Sequence, residues 1–140
     1  MATRTTFNDE PTARPLLIVD DDPALRRTLE LRLREEGFRT IAVESAERAL
    51  AQLAIELPLL VITDVRMSGM DGLALFATIQ RQHPLLPVVI LTAHGTIADA
   101  VEATRRGAAG YLTKPFEAEA LMATVRRALA HHARVSRNEP

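Results

Sequence analysis

Short, almost purely apolar runs alternate along this chain with longer stretches in which apolar residues recur every three or four positions. The runs are Leu16-Leu17-Ile18-Val19, Phe38 to Val43, Leu59-Leu60-Val61-Ile62-Thr63-Asp64, Leu86 to Leu91 around Val88-Val89-Ile90, and Ala109-Gly110-Tyr111-Leu112. Runs of this length, rich in β-branched residues and closed by turn residues, suit strands buried on both faces of a parallel sheet. The intervening stretches carry helical faces: Leu25, Leu29 and Leu33; Ala46, Ala49, Leu50, Leu53, Ala54 and Leu57; Leu73, Phe76, Ala77 and Gln80; and Leu121, Val125, Ala128 and Leu129.

Local signals punctuate the pattern. Asp22-Pro23 pairs a capping acid with a proline at the first helical position, and Gly37 marks that helix's end. Ser45 is a good N-cap, Pro58 closes the second helix, and Asp71-Gly72 opens the third. Thr96 with Asp99 predicts a capping box for a helix running through Arg105-Arg106 and stopping at Gly107. Strands and helices in strict alternation predict a doubly wound α/β protein, because parallel crossovers need helices and wind right-handed. Residues 1–14 lack an apolar period and read as a flexible tail, 15–131 as one domain, and 132–140 as a polar tail or the start of a linker.

Composition narrows the class. At 140 residues and 47% hydrophobic content the chain supports one core, without the ~18 consecutive apolar residues of a membrane span or a signal-peptide pattern. Without cysteine it can have neither disulfides nor thiolate metal sites, which agrees with a cytoplasmic location. Lys+Arg 17 against Asp+Glu 18 leaves a net charge of −1 and no basic footprint for direct nucleic-acid binding. Lys114, immediately before Pro115, is the only lysine among those 17 basic residues.

In a parallel sheet every strand's carboxyl end lies on one edge, where open α/β sheets place their ligand sites. The residues brought to that edge are Asp20-Asp21, Asp64, Thr92 and Lys114. Carboxylates with no softer ligand nearby suit a hard cation, and Mg²⁺ fits because it accepts few protein ligands and keeps waters. A hydroxyl and an ammonium opposite would complete a socket for phosphoryl oxygens. Asp64 stands alone at its strand end and suits a nucleophile, whereas the paired Asp20 and Asp21 suit metal binding. Asp22 has a competing structural role as helix cap, Thr92 alone could be an ordinary strand-end residue, and Tyr111, the only tyrosine, could serve packing alone. His83, His131 and His132 are expected to face solvent.

These residues and their order resemble the CheY-like receiver domains of two-component response regulators, from about Leu16 to Ala130. The likeness rests on Ile18-Val19-Asp20-Asp21-Asp22-Pro23, Ile62-Thr63-Asp64-Val65-Arg66-Met67 through Met70-Asp71-Gly72, Leu91-Thr92-Ala93, and Tyr111-Leu112-Thr113-Lys114-Pro115-Phe116. It implies a flavodoxin-like five-stranded sheet of order 2-1-3-4-5. It also implies phosphorylation of Asp64 by a sensor histidine kinase, and Mg²⁺ held by Asp20, Asp21, Asp64 and the backbone carbonyl of Arg66. Thr92 and Lys114 would contact the phosphoryl group, Thr92 and Tyr111 would act as switch residues, Arg66 and His94 would tune phosphoryl lifetime, and Lys114-Pro115 would be a cis bond.

The stretch from Leu91 to Ile97, with Ala100 to Ala103 and Gly107-Ala108, is especially similar to receivers of NtrC-like sigma-54 activators, and within that class Leu31-Arg32-Leu33 and Ala98 to Thr104 are most similar to the GlrR (QseF) type. Such proteins continue into an AAA+ ATPase and a DNA-binding domain, and their receivers commonly dimerise through the helix 4–strand 5–helix 5 face. Ser68 departs from the family pattern, which has proline there. Two other readings compete with the phosphorylation switch: a pseudo-receiver acting only as a binding module, and a haloacid-dehalogenase-like phosphatase. The second would need Thr or Val where Ala24 stands.

Overall fold

A computed structural model describes residues 13–93 and 95–138, the last seven of these by backbone alone; residues 1–12, His94 and 139–140 lie outside the described residues. The elements are β1 (Leu16–Val19), α1 (Pro23–Glu35), β2 (Thr40–Val43), α2 (Ala46–Ile55), β3 (Leu60–Asp64), α3 (Gly72–Gln82), β4 (Val88–Thr92), α4 (Ile97–Arg105), β5 (Gly110–Thr113) and α5 (Ala118–Asn138). All strand pairs are parallel, in the order β2-β1-β3-β4-β5.

Every residue of β1, β3 and β4 is buried, as continuous apolar runs require when helices cover both faces. Alternate residues divide between two cores. Leu17, Val19, Val61, Val88 and Ile90 pack with Ala49, Leu53, Leu75, Ile79 and Ala103 under α2, α3 and α4. Leu16, Ile18, Leu60, Ile62, Val89 and Leu91 pack with Leu29, Leu33, Leu121 and Val125 under α1 and α5. Each fully buried Leu or Ile side chain contributes about 1.5–3 kcal/mol, so the central strands are the most firmly held part of the domain and a rigid base for the residues at their carboxyl ends.

The predicted caps are in place. Asp22 accepts from the Ala24 and Leu25 amides at 3.0 and 3.4 Å, Ser45 from Arg48 at 3.1 Å, and Asp71 from Ala74 at 2.9 Å. Thr96 and Asp99 form the reciprocal capping box. Several boundaries differ from the sequence reading. Phe38 precedes β2 because α1 ends in a Schellman turn: Gly37 has φ +98°, and the Phe38 amide donates to the Leu33 carbonyl at 3.1 Å. α2 stops at Ile55, two residues short of the predicted Leu57, since the residue before Pro58 is pushed out of helical geometry.

Two segments assigned to tails are structured. The Arg14 guanidinium donates to the Leu57 and Pro58 carbonyls at 3.1 and 2.5 Å, and the Ala13 carbonyl accepts from Arg39 at 2.8 Å, so the chain is fastened from residue 13 onward. The stretch 132–140 is helical as far as Asn138, because no Gly or Pro interrupts α5 and each added residue costs little once a helix has nucleated. His131 is exposed as expected, whereas His83 is half-buried at the C-cap of α3. The side chain of His132 lies outside the described residues.

Candidate functional site

At the carboxyl edge of the sheet, ligand oxygens of Asp20, Asp21 and Asp64 all lie within 4.8 Å of one another. The adjacent strands β1 and β3 bring them there, with Val19 in register with Thr63. Asp20 is fully buried, Asp64 nearly so, and Asp21 is exposed. Lys114, just past the end of β5, places its Nζ 3.2 Å from Asp64 Oδ2 and 3.4 Å from Asp20 Oδ2. The sequence reading thus named four groups that the fold does bring together. Asp22 stands outside the trio as the helix cap.

Backbone bonds fix these side chains. The Asp22 amide donates to Asp20 Oδ1 at 2.9 Å, and the Arg26 guanidinium donates to the Asp20 carbonyl at 2.8 Å. The Lys114 amide donates to the Thr92 carbonyl at 2.7 Å, tying the β4 and β5 ends together, and the Lys114-Pro115 bond is cis. The Thr63 hydroxyl donates to the Asp64 carbonyl at 2.9 Å. Burial pushes the Asp20 carboxyl above its ordinary range; the Asp22 amide and then the Lys114 ammonium oppose that shift, and Asp64 adds to it.

A desolvated carboxylate beside two others is a costly arrangement that a bound cation offsets. The donor set is all oxygen, with one exposed member at the rim. It fits a hard divalent ion such as Mg²⁺ better than any softer metal.

Thr92 is buried at the end of β4. With Val65, Arg66, Phe76, Ala103 and Tyr111 it lines a cavity between α3 and α4, into whose rim Asp99, Glu102 and Arg106 also reach. Tyr111 is half-buried, and burial, aided by the negative charge of Asp99, raises its hydroxyl pKa. Gly95 sits between the two: a Cβ there would lie 2.5 Å from the Tyr111 hydroxyl and 2.8 Å from the Thr92 methyl. Arg66 is exposed in the loop after β3, and His94 lies outside the described residues.

Sequence reasoning missed two supports. Gly72 was read only as a turn residue, yet a Cβ at that position would overlap the Asp64 carbonyl oxygen, so glycine is what lets α3 start against the end of β3. Glu47, at the start of α2, reaches the loop after Asp64, and nothing in its local sequence signals a partner 23 residues away.

The doubly wound parallel sheet, its acidic cleft and the single ammonium facing that cleft define a class of protein in which one strand-end carboxylate sits among metal-type and phosphate-type partners. The chain belongs to the response regulator receiver domain family, which matches residues 16–126. Among curated relatives it is 49% identical over 118 residues to the transcriptional regulatory protein GlrR of Escherichia coli, covering 84% of this chain and 27% of that protein. It is 51% identical over 115 residues to the response regulator protein FleR of Pseudomonas aeruginosa, covering 82% and 24%. The chain therefore spans about a quarter of the length of these relatives. Among solved structures, the receiver domain of NtrX from Brucella abortus superposes with a TM-score of 0.77 at 42% identity, covering 82% of this chain and 98% of that one.

Proposed function

We propose that this domain is a phosphorylation switch in which Asp64 accepts a phosphoryl group from the phosphohistidine of a sensor kinase. The observation that carries the reading is the convergence at one sheet edge of the Asp20, Asp21 and Asp64 carboxylates, with Lys114 reaching Asp20 and Asp64. An Asp64 carboxylate oxygen attacks phosphorus; the P–O bond forms as the P–N bond breaks, and the bonding pair returns to the donor's imidazole nitrogen. Lys114 neutralises charge on the phosphoryl oxygens, and the Thr92 hydroxyl donates to one of them. Asp20, Asp21, Asp64 and the Arg66 carbonyl would hold Mg²⁺, which when bound supplies further charge neutralisation at the phosphoryl group.

The experiment is intact-mass measurement after incubation with phosphoramidate. One hydroxylamine-labile phosphoryl group is expected with Mg²⁺ present and none in excess chelator. No adduct in either condition sinks the reading and favours a pseudo-receiver. Lifetime tuning by Arg66 and His94 belongs to the same proposal and is read from the decay of that adduct.

The output is proposed to run through α4. This helix contributes a single buried residue, Ala103, so it is held by little core and is the helix cheapest to shift. Drawing Thr92 toward the phosphoryl group opens room for Tyr111 to turn into the α3–α4 cavity and biases α4 between two positions. Ile97 and Val101, one helical turn apart on α4, are 85% and 58% exposed, an apolar pair that suits a second copy of the domain. Dimerisation through the α4–β5–α5 face follows as an expected result. Beryllofluoride with Mg²⁺ should shift the domain to dimer size on gel filtration, and Val101→Glu should hold it as a monomer while leaving phosphorylation intact. The cognate histidine kinase is the expected donor, and an AAA+ ATPase with a DNA-binding domain, as in proteins of the GlrR type, the expected output.

A further inference from the structure

The loop between β3 and α3 carries everything that must be held still beside Asp64, yet its composition gives it little stiffness of its own. Arg66 to Met70 includes Ser68 and Gly69 and no proline, and Gly69 sits at φ +77°, in the left-handed region. Its two ends are tied down: the Val65 amide donates to the Leu91 carbonyl at 3.0 Å and the Gly72 amide to the Val65 carbonyl at 2.8 Å. The far side of the loop meets a different element. Glu47, in the first turn of α2, accepts a hydrogen bond from the Met70 amide at 3.0 Å, and its carboxylate packs against Gly69, where a Cβ would stand 2.9 Å from Oε2.

We propose that Glu47 is a positioning residue: its carboxylate clamps the tip of the β3–α3 loop and so holds the Arg66 carbonyl and Asp64 in register for metal and phosphoryl binding. This rests on the phosphoacceptor reading above and names a residue outside the site on which that reading depends. The bond to the Met70 amide is also the first cause of the lowered pKa of Glu47, so the clamp is charged at neutral pH. α2 is itself anchored, through buried Ala46, Ala49 and Leu53, in the core beneath β1 and β3. The clamp therefore refers the loop to the rigid sheet by a route other than the strand that precedes it. Met67 and Met70 pack on the same core, so the loop tip is gripped by apolar contact on one side and by a carboxylate on the other.

The test compares wild type, Glu47→Ala and Glu47→Gln, the last keeping an acceptor oxygen at the same reach. Three readouts are taken: Mn²⁺ affinity from the free-ion electron paramagnetic resonance signal, the Mg²⁺ dependence of phosphorylation by phosphoramidate, and hydrogen exchange of the Met70 amide. Glu47→Ala is expected to weaken Mn²⁺ binding and raise the Mg²⁺ needed for half-maximal rate by about threefold to tenfold, the range of one ordinary net hydrogen bond. The rate at saturating Mg²⁺ should recover, and the Met70 amide should exchange faster. Glu47→Gln should lie close to wild type in all three. A merely structural role would lower thermal stability without moving the Mg²⁺ requirement. Glu47→Ala matching wild type in metal binding and Mg²⁺ requirement overturns the clamp, as does Glu47→Gln losing as much as Ala. A wild type that binds no Mn²⁺ and takes no phosphate overturns the phosphoacceptor reading, and the clamp with it; normal wild-type behaviour with an unaffected Ala variant overturns the clamp alone.

Discussion

Asp64→Asn is expected to lose phosphate incorporation entirely while folding as the wild type does. The amide keeps the shape of the carboxylate at the end of β3 and can still accept from Lys114, whose Nζ lies 3.2 Å from Asp64 Oδ2, but it offers no anionic oxygen to attack phosphorus. Neither neighbouring acid is placed to replace it. Asp20 is fully buried, holds the Asp22 amide with one oxygen and meets Lys114 with the other; Asp21 is exposed at the rim. Intact-mass spectra with Mg²⁺ and phosphoramidate should show one phosphoryl adduct on wild type and bare protein on the variant. A hydroxylamine-labile adduct on the variant would move the acceptor to Asp20 or Asp21 and leave Asp64 as a ligand only.

Asp20→Asn is expected to stabilise the metal-free domain and to abolish its stabilisation by Mg²⁺. Burial is the leading cause of the raised Asp20 pKa, so in the absence of metal the ionised group opposes folding. The native pKa is raised above the unfolded one. Native protein therefore binds more protons over the interval between them, so the contribution of Asp20 to stability is most favourable below the ordinary carboxylate range and is lost as pH rises through the native value. At neutral pH in chelator the amide should melt at a higher temperature than wild type, still accepting from the Asp22 amide. Near pH 4 the two proteins should converge. Added Mg²⁺ should raise the Tm of wild type by mass action and leave the variant unmoved, reversing their order. Thermal melts at two pH values, with and without Mg²⁺, decide the matter; a variant less stable than wild type in chelator at neutral pH defeats the argument. Such an acid is kept at a cost in stability, as functional sites commonly are.

The parts of this domain that could be read from sequence are those set by local periodicity. The runs at Leu16, Leu60 and Val88 are strands because only continuous apolar segments survive burial on both faces, and the caps at Asp22, Ser45, Asp71 and Thr96 announce themselves within four residues. From the alternation it followed that Asp20, Asp64, Thr92 and Lys114 share an edge; the strand order and the cis Lys114-Pro115 bond came from family likeness, since periodicity is silent on both. What stayed hidden was long-range or subtractive. The reach of Glu47 to Met70 joins segments far apart in the chain, and the need for Gly72 arises from an atom it lacks. Phe38 misled because a Schellman turn buries an apolar residue as effectively as a strand does. Arg14 looked like tail until the open carbonyls after α2 gave its guanidinium an anchor.

The length of α5 carries one more consequence. Its 21 residues make a rod of about 31 Å, whose described core contacts run from Leu121 to Leu129. A straight helix conserves rotational phase, at about 100° per residue. Anything joined to the end of α5 inherits a bearing fixed by how Leu121 and Val125 seat in the core. One residue inserted after Ala130 would swing that bearing by about 100°, whereas seven would return it to within about 20° and displace it by about 10 Å. The seating of Leu121 and Val125 thus sets a direction as well as a position for the end of this helix.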